Sequence, residues 1–453
     1  MEKKIKILQL KILLVIMEIM LVLLIWTLLQ LIFLRRDEVA EQFHAQQQSE
    51  AELLLPPEIT EPVVTPEPTE TPFTLTNFDK IRVIITNKET GGIYHENADE
   101  WQNRKDYRGI IEVIEEAEGF VVINELPIEE YLYSVVPSEM PAGYPLEALK
   151  AQAICARTYA YLHVMSPGYP QWGAHVDDTT AYQVYHSVAE QETTTRAVNE
   201  TEGKLLFAPG EQDLAQTYYY STSCGYGSDA HVWRTKYSDC YPYIKSKHIN
   251  GADIEQTTLS AEAFEEYIRS VNELDYEAKE SWYRWSYRVE DVNGERMLQM
   301  LQKRYAANEK LVLTKVGNDF ISQPIEKLGN ITDLKICRRE AGGVADELLI
   351  CTDTETYKVI TELNIRYVLN DGCSPVNRQD GVSVEMNSLL PSAFITLDII
   401  REDDYVIGYE IMGGGFGHGA GMSQNAAKAM ANAGMCAEEI LGFFFTDCIV
   451  KEK

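Results

Sequence analysis

The sequence predicts an α+β fold: a single N-terminal transmembrane helix, a disordered stalk, and a mixed α/β ectodomain with an inserted helical and aromatic region. Three observations carry this expectation. Residues 12–34 are 23 residues of apolar sequence broken only by Glu18, Thr27 and Gln30. Residues 35–78 carry Gln, Pro, Glu and Thr with little to bury. From Lys80 onward, short β-branched runs alternate with stretches of helical period.

The apolar run is long enough to span a hydrocarbon core as a helix. Lys3, Lys4, Lys6 and Lys11 precede it, which places the N-terminus (1–11) in the cytoplasm and the rest outside, on the cell-wall side. A cleaved signal peptide would be shorter and end in a small-x-small site, and none follows. Glu18 sits toward the cytosolic third, where it can snorkel or mark a helix partner. The segment 56–72 holds six Pro and four Glu without Lys or Arg, so it reads as an extended stalk. The chain of 453 residues has a formal net charge of −30 and no basic stretch beyond the extreme N-terminus, which argues against nucleic acid as a partner.

Past the stalk, Ile81 to Ile85 reads as a strand. Gly109 to Ile114 and Gly119 to Ile123 flank a Glu/Ala turn as a hairpin. Leu126 to Leu132 starts a helical turn leading into a loop at Glu139. Over 146–163, Leu146, Leu149, Ala153, Ala156, Ala160 and His163 recur at spacings of three and four, which predicts one buried face. Thr193 to Phe207 suits a helix and then a strand, with Gly203 as the stop. Residues 79–249 and 331–453 form the two parts of one domain on this reading. Residues 250–330 stand between them as an insert with helices over Leu259–Asn272 and Asn293–Tyr305 and a strand-like run Ser281–Tyr287. Leu334–Cys337 and Leu348–Cys351 flank Ala341-Gly342-Gly343 as another hairpin.

The chemistry centres on Val136-Pro137-Ser138-Glu139-Met140-Pro141. Prolines on both sides restrict the backbone of Glu139, and a fixed carboxylate at a junction before a helix is a candidate general acid or base. Taken alone, such a Glu is more often solvated or serves the helix dipole. Lys150 and Arg157, seven residues apart, share a helical stripe that reads by default as solvated charge. Cys155, among alanines in mid-helix, reads as a small buried hydrophobe and not as a nucleophile. Asp177 and Asp178 read first as turn caps, and otherwise as residues that help orient substrate. The run Gly413-Gly414-Gly415-Phe416-Gly417-His418-Gly419-Ala420-Gly421-Met422-Ser423-Gln424 lacks the Lys of a nucleotide loop. Its glycines expose backbone N–H groups to an approaching polymer. His418 is a candidate for bonding substrate or Glu139, against a turn histidine bonded to backbone. Ser423 is placed to cap a helix over Asn425–Ala433 with Gly434 ending it. Eight cysteines in an exported chain allow disulfides, Cys337–Cys351 or Cys436–Cys448 first, without fixing a connectivity.

Ser-Glu-Met-Pro followed by Glu-Ala-Leu-Lys-Ala-Gln-Ala-x-x-Ala-Arg-Thr-Tyr-Ala resembles the signature of the SpoIID/LytB family, and Gly417 to Gln424 resembles its second motif. The resemblance covers residues 79 to 450 with a divergent middle. It implies a SpoIID-type ectodomain, a peptidoglycan-remodelling role, and lytic transglycosylase activity on glycan strands with Glu139 as the catalytic residue. It also implies Lys150, Arg157, Ser221, Ser223, His418, Ser423 and Gln424 as the positioning or substrate-binding set. Ser221-Thr222-Ser223-Cys224-Gly225 resembles a family Ser-x-Ser-Gly-Gly loop with Cys224 in place of a Gly, which puts that loop's geometry in question. Some family members carry a His/Cys zinc cluster before a Gln-x-Tyr segment. Here that segment holds no Cys and only His175 and His186 nearby, too few for a closed site, so neither metal nor cofactor is expected. Other members enhance a cell-wall amidase. A non-catalytic partner that binds glycan or such an amidase is therefore the alternative.

Overall fold

The computed structural model describes residues 79–88, 90–97, 107–234, 238–250 and 259–453. The expected tail, anchor and stalk (1–11, 12–34 and 35–78) lie outside them. No described helix is long and apolar enough to cross a membrane. The described chain is a mixed α+β structure.

The first sheet is built from β1 (Lys80–Ile84), β2 (Tyr94–His95), β3 (Ile110–Glu116), β4 (Gly119–Pro127) and β5 (Val176–Asp177). β1 pairs antiparallel with β4 and parallel with β5, and β3 and β4 form the expected hairpin, closing at Glu116 opposite Gly119. Across this sheet pack α1 (Ile128–Glu139), α2 (Leu146–Met165) and α3 (Glu192–Glu200). Ile81, Val83, Val122 and Leu126 meet Tyr131, Leu132 and Val135 of α1 and Ala153, Ala156 and Ala160 of α2 in one apolar cluster. β6 (Lys204–Phe207) and the two-residue β7 (Tyr219–Tyr220) follow, with Gly203 before β6 at φ +71°.

Next come α4 (Ala261–Ile268), β8 (Trp285–Val289), α5 (Gly294–Ala307), β9 (Val312–Val316), β10 (Asp319–Ile321), β11 (Ile331–Arg339), β12 (Ala345–Thr352), β13 (Thr356–Ile360) and α6 (Glu362–Val368). The chain ends with β14 (Pro375–Arg378), β15 (Ser383–Glu385), β16 (Asp398–Glu402), β17 (Tyr405–Gly413), β18 (Met422–Ser423), α7 (Gln424–Asn432), α8 (Ala437–Phe444) and β19 (Ile449–Glu452). Ser260 and Asn293 cap α4 and α5 with their side chains, as polar residues before apolar-periodic runs do. One sheet runs β10-β9-β13-β12-β11 and another β15-β14-β8-β17-β16. β8, from the stretch read as an insert, is thus the central strand of a sheet whose other members all follow residue 374. Its Trp285 and Tyr287 are buried.

Three features differ from the sequence reading. Residues 128–139 are one helix, so Glu139 ends a helix instead of standing in a loop. Pro137 lies inside its last turn, where the helix forgoes one backbone hydrogen bond. And α2 is buried nearly all round, because α1, α3, β6, α7 and α8 pack against it from several sides. Alanine's small side chain lets all of them approach, whereas a face-only pattern presumes a surface helix. The Cys337–Cys351 pairing also fails: Cys351 stands opposite Asp333, while a register shift sets Cys337 aside. All eight cysteines are free thiols.

Candidate active site

Glu139 is the last residue of α1, and it is half-buried. Its Oε1 accepts the Val184 N–H at 2.6 Å, and the Tyr219 hydroxyl donates to the same carboxyl. Its backbone carbonyl accepts from Gln424 Nε2 at 3.1 Å. Burial disfavours the charged form more than these two donors favour it, and the pKa is pushed up to about 7. A carboxyl that titrates near neutral pH can both give and take a proton there.

Tyr219 is held in turn. Its hydroxyl accepts from Gln183 Nε2 at 3.2 Å, which leaves its own proton for Glu139. Tyr131 donates to Gln183 Oε1 at 3.4 Å, and Gln183 Nε2 also reaches the Ala156 carbonyl at 3.4 Å, so three elements fix one amide. Replacing Tyr219 with Phe removes a donor that lowers the Glu139 pKa. The midpoint of the basic limb of any Glu139-dependent activity should therefore move upward by about half a pH unit or more. A pH–rate profile with an unmoved basic limb would show that Tyr219 does not touch the titrating group.

β7 runs parallel to β18, with Tyr219 opposite Met422 and Tyr220 opposite Ser423. The glycine-rich run is what allows this. Residues 413–417 are buried against the 218–228 segment, with Thr222 bridging Phe416 and Ser228 bridging Ala420. The backbone that approaches these glycines is the protein's own and not a polymer's. A Cβ on Gly415, at φ +79°, would lie 2.8 Å from the Thr222 carbonyl oxygen and 2.9 Å from the Cys224 nitrogen. Gly415→Ala should cost about 2 kcal/mol or more in a urea unfolding curve, since neither backbone can yield. In the facing loop the positive φ belongs to Gly225, at +100°, so Cys224 sits buried without strain.

The other residues singled out in the sequence lie as follows. His418 takes the Ala420 N–H on Nδ1 at 3.1 Å and bonds the Tyr219 backbone on its other side. Its ring lies against Trp233 and Tyr220, and burial lowers its pKa to about 4, so it is a neutral turn imidazole steadying Tyr219. Gln424 joins the site directly. Ser423 caps α7 and donates to Glu277 Oε1 at 2.7 Å. Ser223 also bonds Glu277, through its N–H at 2.9 Å and its hydroxyl. Ser221 lies between, bonded to Thr222. Lys150 pairs with Glu147 at 2.9 Å and Glu200 at 2.7 Å on the rim of α2. Arg157 has no exposed surface, and its guanidinium grips Glu129 at 2.7 and 2.8 Å and the carbonyls of Val198 and Lys204. Asp177 and Asp178 are buried, the first taking Tyr169 and Thr179 and the second Thr86 and Lys88. Among the described residues no group of three or more His, Cys, Asp or Glu could hold a metal ion.

Tyr219 and Glu277 escaped the sequence reading, and Gln183 and Val184 entered it only as part of the Gln-x-Tyr likeness, without a role. Alternation along Tyr218-Tyr219-Tyr220 offered a signal for the first, since it turns Tyr219 opposite to its neighbours. Glu277, in a polar loop between α4 and β8, offered none.

The family profile for stage II sporulation protein (SpoIID) matches residues 116–207, which contain Glu139 with its helix α1, the following helix α2, and Gln183 and Val184. The chain belongs to the SpoIID family. This SpoIID-family chain also matches a domain of unknown function, DUF8618, over residues 229–421, from which Glu277 and most of the glycine-rich run come. It is 30% identical over 325 residues to the amidase enhancer of Bacillus subtilis (strain 168), covering 69% of this chain and 39% of that protein. It is 39% identical over 138 residues to stage II sporulation protein D of Bacillus subtilis (strain 168), covering 27% of this chain and 39% of that protein. An uncharacterized protein of Brachyspira hyodysenteriae (strain ATCC 49526 / WA1) is 36% identical over 141 residues, covering 31% of this chain and 37% of its own length. The SpoIID-family chain thus spans less than two fifths of each of these relatives.

Proposed function

We propose that this protein remodels peptidoglycan as a lytic transglycosylase, cutting glycan strands to 1,6-anhydro products with Glu139 as both acid and base. The observation that carries this reading is the half-buried carboxyl at the end of α1, bonded to Tyr219 and raised to a pKa of about 7. Glycoside hydrolysis uses two carboxyl groups, one for the leaving oxygen and one for the water or the sugar carbon. The transglycosylase route needs one. Protonated Glu139 gives its proton to the glycosidic oxygen as the C1–O bond breaks. The resulting carboxylate takes the proton of the muramic C6 hydroxyl, whose oxygen closes on C1, and Glu139 ends protonated as it began. Tyr219 steadies the transient carboxylate. Asp177 and Asp178, the carboxylates with which a search for a second catalytic group would begin, are committed to Tyr169 and Thr179 and to Thr86 and Lys88.

The proposal includes an extracytoplasmic, membrane-anchored location, for which the apolar run 12–34 behind a lysine cluster is the support. The second reading is a non-catalytic partner of a cell-wall amidase. It is favoured by the likeness to a protein named amidase enhancer, the match that spans 69% of this chain. Product analysis separates the two. The chain is incubated with glycan strands lacking peptides and with intact sacculi, and the ends are read by mass spectrometry. Anhydro ends are the expected result. Reducing ends would mean a hydrolase with a second carboxylate. Binding without cleavage would leave the amidase-partner reading.

A further inference from the structure

We infer that Glu277 is a positioning residue for Glu139: its buried carboxyl ties together the two segments that hold the Glu139 side chain and backbone. The first segment carries Tyr219, and four residues later Ser223 gives both its N–H and its hydroxyl to Glu277. The second carries Gln424, and the preceding Ser423 gives its hydroxyl to Glu277 Oε1 at 2.7 Å. Each hydroxyl also accepts a backbone N–H, from Gly225 at 3.1 Å and from Ala426 at 3.4 Å. With their oxygens occupied in this way, both serine protons point to the carboxyl. Glu277, Ser223 and Ser423 are 0%, 1% and 0% exposed, so none can touch a glycan. A buried carboxyl is costly to keep, and three donors converging from two chain segments offset that cost. Without it, two hydroxyls and an amide are left without an acceptor, and water must enter to replace it. The segment between α4 and β8 thereby reaches into a site whose other parts come from residues 128–220 and 422–425.

The activity arm of the test rests on the transglycosylase reading, and the other arms do not. The full-length chain is prepared as parent, Glu277→Ala, Glu277→Gln and Ser423→Ala. Glu139 is modified with a water-soluble carbodiimide and an amine across a pH series, because only the protonated carboxyl reacts, and the peptide is followed by mass spectrometry. In Glu277→Ala the midpoint should fall by at least about half a pH unit as water reaches Glu139. Hydrogen exchange at the Val184 amide should rise about tenfold. On glycan strands, kcat should drop about tenfold with KM within about twofold, and Glu277→Gln, which keeps the shape and an acceptor for Ser223, should recover most of the loss. A folded Glu277→Ala chain with parental midpoint and parental Val184 exchange overturns the inference, whatever its activity. If the parent cleaves no glycan, the enzymatic reading falls while midpoint and exchange still decide this one. If Glu277→Ala does not fold, Ser423→Ala decides: it should shift the midpoint in the same direction, and no shift overturns the inference.

Discussion

Glu139→Gln lowers glycan cleavage by about 1,000-fold or more and leaves the fold in place, because the amide keeps the size and the acceptor for Val184 but has no proton to give. The parent's activity should fall about tenfold per pH unit above pH 7, where the acid form runs out, in keeping with a carboxyl raised to about 7. The substitution also alters stability with a defined sign. The folded-state pKa lies above the ordinary 4.5, so the folded chain binds the proton more tightly than the unfolded one. This group's contribution is therefore most favourable below about pH 4.5, declines as pH rises toward 7, and is level beyond. Glu139→Gln abolishes that decline, so relative to parent it gains up to about 3 kcal/mol by pH 8. Urea midpoints at pH 5 and pH 8 read this directly. Equal midpoint differences at both would mean that Glu139 ionises freely. If lysis is absent from parent and variant alike while amidase stimulation persists in both, Glu139 is not acting as an acid.

Arg157→Met is expected to cost about 3–5 kcal/mol, a large part of the stability of a typical domain. Its guanidinium is fully buried, and it satisfies Glu129, Thr201 and two backbone carbonyls at the seam of α1, α3 and β6. Methionine fills much of the volume but leaves the Val198 and Lys204 carbonyls without this donor. The measurement is the denaturant midpoint, accompanied by KM on glycan for any folded fraction. A loss under about 1 kcal/mol with a raised KM would return Arg157 to the sugar-contacting role that its motif suggests. Glu129→Leu combined with Arg157→Met should recover part of the loss, since the carboxylate is then no longer stranded.

Local chemistry made several elements readable in advance. Ser260, Asn293 and Ser423 announced helix starts because a short polar side chain before a periodic run has few other uses there. The hairpin at Glu116 and Gly119 followed from β-branched runs around a turn. Glu139 stood out because prolines and motif surrounded it, yet its place at a helix end was missed, because Pro137 reads from sequence as restricting a loop and not as part of a helix. The partners of Glu139 were less legible. Tyr219 and Gln424 meet it through tertiary contacts set by the β7–β18 pairing, and Val184 from a loop 45 residues on, contacts that no window of sequence contains. Arg157 shows the same limit from the other side, since a charged stripe on a helix looks solvated until α3 and β6 cover it. Glu277 was invisible because a carboxylate in a polar loop carries no sign that the loop will be sealed.

The pairing of β7 with β18 bears on how fast the molecule can form. Thr222 bonds Asn425 across 203 residues of sequence, and β6 waits for β19, the last strand of the chain. Closing a loop of that length costs about 5 kcal/mol of chain entropy before any contact repays it. Such distant partners go with slow folding. During synthesis Glu139 and Tyr219 emerge long before Gln424, so the early part of the chain carries the acid without the frame that tunes it. Any activity that depends on Glu139 would then arrive in one late step, when the final forty residues dock, and a ribosome-bound or truncated chain would lack it.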